Sequence, residues 1–121
     1  MLPIQVPVSS QRSVAPSPDP EAIRCRVAAC VIADFGISAD ELAFGSRGSP
    51  RASLARQVAM YLCHVDFALS FEGIGRLFHR DRTTVAYACR VIEERREDVW
   101  FDSRIATLER QCSGVQMECG Q

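Results

Sequence analysis

The sequence contains no lysine, so all fourteen of its basic side chains are arginines. Arginine carries a planar guanidinium whose N–H groups bond phosphate or guanine at two points, which favours a nucleic-acid partner. A coding bias toward arginine explains the same composition without any function. The missing lysine is therefore compatible with DNA binding but does not establish it.

Membrane and catalytic signals are also missing. No apolar run reaches the roughly 18 to 20 residues that a membrane span needs, and no GxxxxGK[ST] phosphate-binding loop occurs. The N-terminal residues do not have the pattern of a signal peptide, so we expect none. His64 and His79 lack a recognisable set of catalytic partners. We therefore expect a soluble cytoplasmic protein that is not an enzyme, with no membrane partner, no cofactor and no small-molecule substrate.

The six cysteines include no CxxC pair. Cys25, Cys30, Cys63 and Cys89 fall on the apolar faces of predicted helices, which indicates reduced core residues rather than disulfides. Cys63 and its neighbour His64 cannot present both side chains to one metal from one helical face. We expect no metal site.

The 121 residues allow one compact domain, of about 80 to 100 residues, and a tail. The net charge is only -1, but it is distributed unevenly. Residues 47–92 hold seven arginines and three acids, whereas residues 93–121 hold four arginines and seven acids. The positive charge is therefore concentrated in the middle of the chain.

Proline and serine dominate residues 1–19, a composition that predicts a flexible tail. Helical periodicity then predicts an all-α bundle of about six helices over residues 20–112, with no strand, and a flexible C-terminus at residues 113–121. The first helix should end near Gly36. Ser38 and Glu41 form a capping-box pattern for a short helix through Phe44.

A basic loop is expected from Gly45 to Arg51, followed by the central helix from about Ala52 to Val65 and a last helix from about Asp98 to Cys112. Apolar side chains at helical spacing predict the buried face of each of these two helices. They are Leu54, Val58, Tyr61, Leu62 and Val65 in the central helix, and Trp100, Phe101, Ile105 and Leu108 in the last.

Residues 70–94 are typical of a helix-turn-helix. Ser70 suits the N-cap of a helix through Phe78, His79 and Arg80 break it, and Asp81 caps a second helix from Arg82 to about Glu94. Gly75 should allow the two helices to approach closely. The start of the second helix of such a motif enters the major groove of DNA.

This geometry nominates a set of DNA-contacting residues. Those just after the turn would read bases, because Arg bonds guanine, Asp accepts from cytosine and the Thr methyl packs on thymine. They are Arg80, Asp81, Arg82, Thr83 and Thr84. Phosphate or minor-groove contacts are expected from Arg47, Arg51, Arg76, Tyr87 and Arg90.

Seven of these ten residues also have a purely structural explanation. Asp81 would then only cap its helix, and Thr83 and Thr84 would be solvated residues of its first turn. Arg90 would pair with Glu93 or Glu94, and Tyr87 would pack on Arg90 instead of touching the sugar-phosphate backbone. Arg47 and Arg51 would belong to an ordinary solvated loop.

The same segments resemble the C-terminal DNA-binding domain, domain IV, of the bacterial replication initiator DnaA. The residues ARQVAMYL from Ala55 to Leu62 look like that family's central helix. The first motif helix matches at Ile74, Gly75 and Phe78, and the recognition helix at Arg80, Asp81, Thr83, Thr84, Val85, Ala88 and Ile92. The resemblance covers roughly residues 22–112. It implies binding to short A/T-rich boxes of double-stranded DNA at replication origins and promoters, with an arginine of the basic loop in the minor groove.

Two positions depart from the family pattern. His79 stands alone where the family usually has two glycines, and Arg82 replaces the family's motif histidine, so we expect a different box preference. With no room for the family's ATPase in 121 residues, the resemblance implies a nucleoid-associated regulator of replication initiation or transcription. The alternative is a protein-interaction regulator that binds the DnaA initiator or the ATPase that controls it, which the acidic flanks and the near-neutral charge favour.

Overall fold

A computed structural model describes residues 19–44 and 49–113 of the chain. These residues form six α-helices and no strand: α1 (Pro20–Phe35), α2 (Ala39–Phe44), α3 (Pro50–Phe67), α4 (Phe71–Phe78), α5 (Arg82–Arg95) and α6 (Val99–Cys112). The all-α prediction is confirmed. The predicted tail up to residue 18, Arg47, and the predicted C-terminus from residue 114 lie outside the described residues.

The ends of α1 follow from its sequence. The Asp19 carboxylate accepts a hydrogen bond from the Ala22 amide at 3.3 Å, and Pro20 occupies the first turn, where its missing N–H has no partner to lose. Gly36 ends the helix with a φ of 67°, a left-handed conformation that glycine adopts without strain. Cys25 is exposed, so the prediction that it lies on the buried face was wrong.

Reciprocal capping begins α2, as predicted. The Ser38 amide donates to the Glu41 carboxylate at 2.9 Å, and the Glu41 amide donates to Ser38 Oγ at 3.0 Å. The next helix, α3, starts earlier than predicted, because Ser49 Oγ accepts from the Ala52 amide at 3.1 Å and caps it. Arg51 therefore lies in the first turn of α3 and not in a loop.

Helix α3 is the centre of the core and packs against all five other helices. Val58, Ala59 and Leu62 are fully buried along it, but Val65 is 45% exposed, so its predicted core position was wrong. Buried Arg56 joins α3 to α2 by donating from Nε to the Leu42 carbonyl at 2.8 Å and from Nη2 to the Glu41 carbonyl at 3.0 Å. These carbonyls belong to the last turn of α2, where no following turn supplies the N–H groups that they would otherwise accept from, so Arg56 satisfies them.

Helix α6 buries Phe101, Ile105 and Leu108, as predicted, but Trp100 is 81% exposed, and its predicted packing role was wrong. Phe101, Ile105 and Leu108 share one face of α6, and Trp100, about 100° away from Phe101 around the helix, lies outside the part of α6 that packs against the core. Arg96, between α5 and α6, donates to Tyr61 Oη at 3.0 Å, Asp102 at 2.5 Å and Glu109 at 3.1 Å. This network ties both helices to α3. Within the described residues, no helix is long and apolar enough to cross a membrane.

Candidate nucleic-acid interface

A turn of three residues joins α4 to α5 and makes the predicted helix-turn-helix. Ser70 Oγ caps α4 by accepting from the Gly73 amide at 2.9 Å, and the helix buries Ile74 and Phe78. His79 then adopts a left-handed conformation with a φ of 59°, which ends the helix. The Arg80 amide donates to the Gly75 carbonyl at 2.8 Å and closes the turn.

Gly75 makes this tight turn sterically feasible. A Cβ atom at this position would lie 2.4 Å from the Arg80 carbonyl oxygen, well inside van der Waals contact. The predicted role of Gly75 in close approach is therefore confirmed. The backbone that it meets belongs to the turn that leads into α5.

Helix α5 separates a buried face from an exposed one. Val85, Ala88, Cys89 and Ile92 are buried against the core, as predicted. The Arg82, Thr83 and Thr84 side chains are exposed at the start of the helix. The first turn of α5 therefore presents three polar side chains to solvent, and the apolar face of the same helix anchors it to the core.

Asp81 occupies the N-cap position of α5 with an extended backbone, but its side chain makes no capping hydrogen bond. The prediction that its carboxylate caps the helix was wrong. The carboxylate is exposed beside the first turn of α5, where the positive end of the helix dipole favours its negative charge. Neither carboxylate oxygen is used by the helix cap, so both can accept hydrogen bonds from a ligand.

An open cleft of about 670 Å³ runs along the turn. It brings together Arg76, Arg80, Asp81 and Arg82, four of the predicted DNA-contacting residues, and is also lined by Glu72, Gly75 and His79. The Arg80 guanidinium bends back over the turn, donating to the Phe78 carbonyl at 3.1 Å and the His79 carbonyl at 3.2 Å. Both bonds come from Nη1, so Arg80 has to release them before that nitrogen can contact a base.

Tyr87 and Arg90 lie together farther along α5, outside the lining of this cleft. Tyr87 is 54% exposed, and the Arg90 guanidinium carbon lies 5.8 Å from the centre of its ring. Arg90 forms no ion pair with Glu93 or Glu94, both of which the structure describes. The alternative in which Tyr87 packs on Arg90 is therefore present in the structure, whereas the pairing of Arg90 with Glu93 or Glu94 is not.

Arg51 is not brought to the turn. It lines a separate depression of about 540 Å³ with Phe35, Arg95 and Arg104, and shares no lining residue with the first cleft. Arg95 belongs to the last turn of α5, at the end opposite Arg82. A contact by Arg51 with DNA would therefore be well separated from the base-reading end.

Sequence reasoning did not identify Glu72 as a cleft residue, and it placed His79 at the turn, near the phosphates, without assigning it a contact. The signal was available for both, because Glu72 and Arg76 lie one turn apart on α4 and His79 follows on the same side.

Comparisons with known proteins agree with this geometry. A family model described as the bacterial dnaA protein helix-turn-helix matches residues 25–92. The chain is 39% identical over 75 residues to chromosomal replication initiator protein DnaA 2 of Chlamydia caviae, a match covering 62% of this chain and 16% of the relative. It is 48% identical over 61 residues to DnaA of Clavibacter michiganensis subsp. michiganensis, covering 50% of this chain and 13% of the relative.

A solved structure also resembles the fold. The crystal structure of a DNA replication initiation factor superposes with a TM-score of 0.70 at 30% identity, covering 77% of this chain and 29% of that chain. The two matches to the DnaA relatives span about one sixth of those proteins' length or less. Together, the comparisons confirm the resemblance to DnaA domain IV.

Proposed function

The chain belongs to the bacterial DnaA helix-turn-helix family, and we propose that it binds double-stranded DNA at sites like that family's boxes. The family's C-terminal domain is a DNA-binding domain, not a catalytic one. The observation that carries the proposal is the cleft at the start of α5, which Arg76, Arg80 and Arg82 line together with Asp81. The arginines of this cleft can bind phosphates or donate to base edges, and the Asp81 carboxylate can accept from a base.

Base reading is assigned to the first turn of α5 and the residues before it. Arg82, Thr83 and Thr84 are exposed there and can enter the major groove without rearrangement of the core. Asp81, whose carboxylate makes no capping bond, can accept from the amino group of a cytosine. Arg80 completes the set when it exchanges its two carbonyl bonds for a guanine or a phosphate.

Backbone contacts are assigned to the surrounding cations. Arg76 faces the same cleft from α4, and Tyr87 with Arg90 presents a stacked pair farther along α5. Arg51 and Arg47 are assigned to contacts farther from the base-reading end. The assignment of Arg47 rests on the sequence resemblance alone. Such contacts position a protein on the duplex without reading its sequence.

The biological role that we propose is regulation without ATP hydrolysis. A domain of this kind, occupying boxes at an origin or a promoter, would compete with other proteins for the same DNA and so control replication initiation or transcription. The matched region covers only 13 to 16% of the relatives, so the proposal carries over the DNA-binding domain and not the rest of those proteins. This role would place the protein in the cytoplasm on the nucleoid.

Charge reversal of Arg82 tests the proposal. Arg82→Glu should abolish binding to a labelled box duplex while leaving the thermal unfolding curve unchanged, because this side chain is exposed and outside the core. Arg110→Glu is the matched control, since Arg110 is an exposed arginine of the last turn of α6, away from the cleft. Box binding that survives Arg82→Glu would contradict the assignment.

A second candidate function is protein interaction with the DnaA initiator or the ATPase that controls it. The observation that favours it is the exposure of Val99 at 69% and Trp100 at 81%, next to exposed Glu97 and Asp98. Exposed tryptophans are frequent anchors of protein interfaces. Trp100 is the sole tryptophan, so a shift of its emission on adding purified initiator would support this function, and an unchanged spectrum would contradict it.

A further inference from the structure

A second cleft, of about 390 Å³, lies between α1 and α4. It is lined by Glu21, Arg24, Ala43, Arg76, Leu77 and His79. Two of these residues, Arg76 and His79, also line the cleft at the start of α5. The Arg76 and His79 side chains therefore border both clefts, so the α1–α4 cleft lies next to the cleft at the start of α5.

The charge of this α1–α4 cleft suits an anion. Arg24, Arg76 and His79 supply donors, and Glu21 is the single acid of the lining. Glu21 is hydrogen-bonded to Arg24, whose Nε lies 2.9 Å from the Glu21 carboxylate and whose Nη2 also bonds it. This bond, with a smaller contribution from the nearby His79 ring, holds the pKa of Glu21 below its ordinary value.

The Glu21–Arg24 pair is readily exchanged for another anion. Its side chains are 57% and 30% exposed, and an exposed pair of this kind contributes little to stability because water competes for both charges. A DNA phosphate offers Arg24 the same type of acceptor with the same charge as a carboxylate. Phosphates recur along each strand about every 3.4 Å of the helix axis, so a cleft that borders the base-reading cleft can receive a neighbouring phosphate of the bound duplex.

We propose that the α1–α4 cleft binds a backbone phosphate flanking the base-read segment, with Arg24 and His79 as donors and Glu21 as a built-in competitor. This inference rests on the proposed binding of duplex DNA and extends its footprint onto α1. In the absence of DNA, Glu21 occupies Arg24. On binding, the phosphate displaces the carboxylate, so Glu21 lowers affinity for every DNA sequence by the same factor.

The test compares single variants on a box duplex and a scrambled duplex over a range of salt concentrations. Arg24→Gln should weaken binding to both duplexes equally and reduce the slope of log affinity against log salt by about one. A slope change of that size corresponds to about a fourfold change in relative affinity between about 50 and 200 mM salt. Glu21→Gln should strengthen binding to both duplexes, because Arg24 is released. His79→Asn, which tolerates the left-handed backbone of this position, should weaken binding to both.

Two matched controls isolate the cleft from net charge. Glu97→Gln makes the same chemical change as Glu21→Gln at an exposed residue of the α5–α6 corner, and Arg110→Gln mirrors Arg24→Gln on α6. Both controls should bind as the unmodified protein does. Thermal unfolding of all five variants checks that the fold is intact.

Interference by ethylated phosphates then locates the contact. The unmodified protein should lose binding when one phosphate outside the box is ethylated, and Arg24→Gln should be insensitive to that modification. If the unmodified protein binds the box but Arg24→Gln and Glu21→Gln match their controls, the α1–α4 cleft is not a phosphate site and only this inference fails. If the unmodified protein binds neither duplex, the proposed function fails and this inference fails with it.

Discussion

Gly75 and Arg80 are held in backbone contact across the helix-turn-helix. The Arg80 amide donates to the Gly75 carbonyl at 2.8 Å. The Arg80 carbonyl oxygen lies only 2.4 Å from the position that a Cβ atom on residue 75 would occupy. The contact fixes how closely α5 follows α4. The orientation of Asp81 and Arg82, which come directly after Arg80, depends on it.

Gly75→Ala should therefore destabilise the protein and disturb the interface together. Its Cβ meets backbone, which cannot rotate away, so we expect a loss of about 1–3 kcal/mol in the free energy of unfolding. Urea denaturation measures it, and box binding should weaken in parallel. Gly73→Ala is the control, because its Cβ would meet only the Ser70 side chain, at 3.1 Å; a loss as large there would contradict the explanation.

Asp81 and Ser70 occupy equivalent N-cap positions but should respond differently to substitution. Ser70→Ala removes a capping bond and should cost about 1 kcal/mol of stability. Asp81→Ala removes only a favourable charge at the start of α5 and should cost about 0.5 kcal/mol or less. The ratio of affinities for box and scrambled duplexes should fall with Asp81→Ala and persist with Ser70→Ala. The reverse pattern would assign Asp81 a structural role.

Trp100 and Phe101 are neighbours with opposite environments. Trp100→Ala should change the free energy of unfolding by about 0.5 kcal/mol at most, because its side chain is 81% exposed. Phe101→Ala should cost about 3–5 kcal/mol, because that ring is buried. Denaturant midpoints of the two variants measure the contrast. Equal losses would mean that Trp100 packs against the core after all.

Asp66 should make stability depend on pH. Burial, and then the neighbouring Glu109 carboxylate, raise the pKa of Asp66 from 3.8 to about 6, and Arg96 opposes them. Its Oδ2 atom is buried without a hydrogen-bond partner in the described part of the chain. Since the folded state holds this proton more tightly than the unfolded state, stability from this group is complete below about pH 4 and is lost as the pH rises through 6.

Asp66→Asn isolates that contribution, because asparagine does not ionise. The free energy of unfolding of Asp66→Asn minus that of the unmodified protein should rise by about 1–2 kcal/mol between pH 4 and pH 7, after allowance for partial solvent screening. Denaturation at a series of pH values measures the difference, in which the other carboxylates cancel. A difference that stays constant with pH would contradict the account.

Much of the fold and of the turn could be predicted because the determining interactions are local. The capping box of Ser38 and Glu41, the N-cap at Ser70 and the break at His79 each depend on residues within four positions of one another. The buried face of α5 follows in the same way from a single period of 3.6 residues. These elements are also those that position Arg82.

The errors concern what a local pattern does not determine. Periodicity allows either Trp100 or Phe101 to face inward, and the choice depends on how α6 lies against α1 and α3. Val65 is apolar at a suitable spacing, but no other helix covers it fully. Arg51 was assigned to a loop because the sequence alone did not reveal that Ser49 caps α3 two residues earlier.

The central claim is that the groove at the start of α5 reads DNA sequence. The most direct measurement is the affinity of the purified protein for a labelled duplex with a DnaA-type box and for a scrambled duplex of equal composition, at about 50 and 200 mM salt. The account predicts that both affinities fall with salt and that the box is bound more tightly at each concentration. Weak and equal binding to the two duplexes at both concentrations would contradict it.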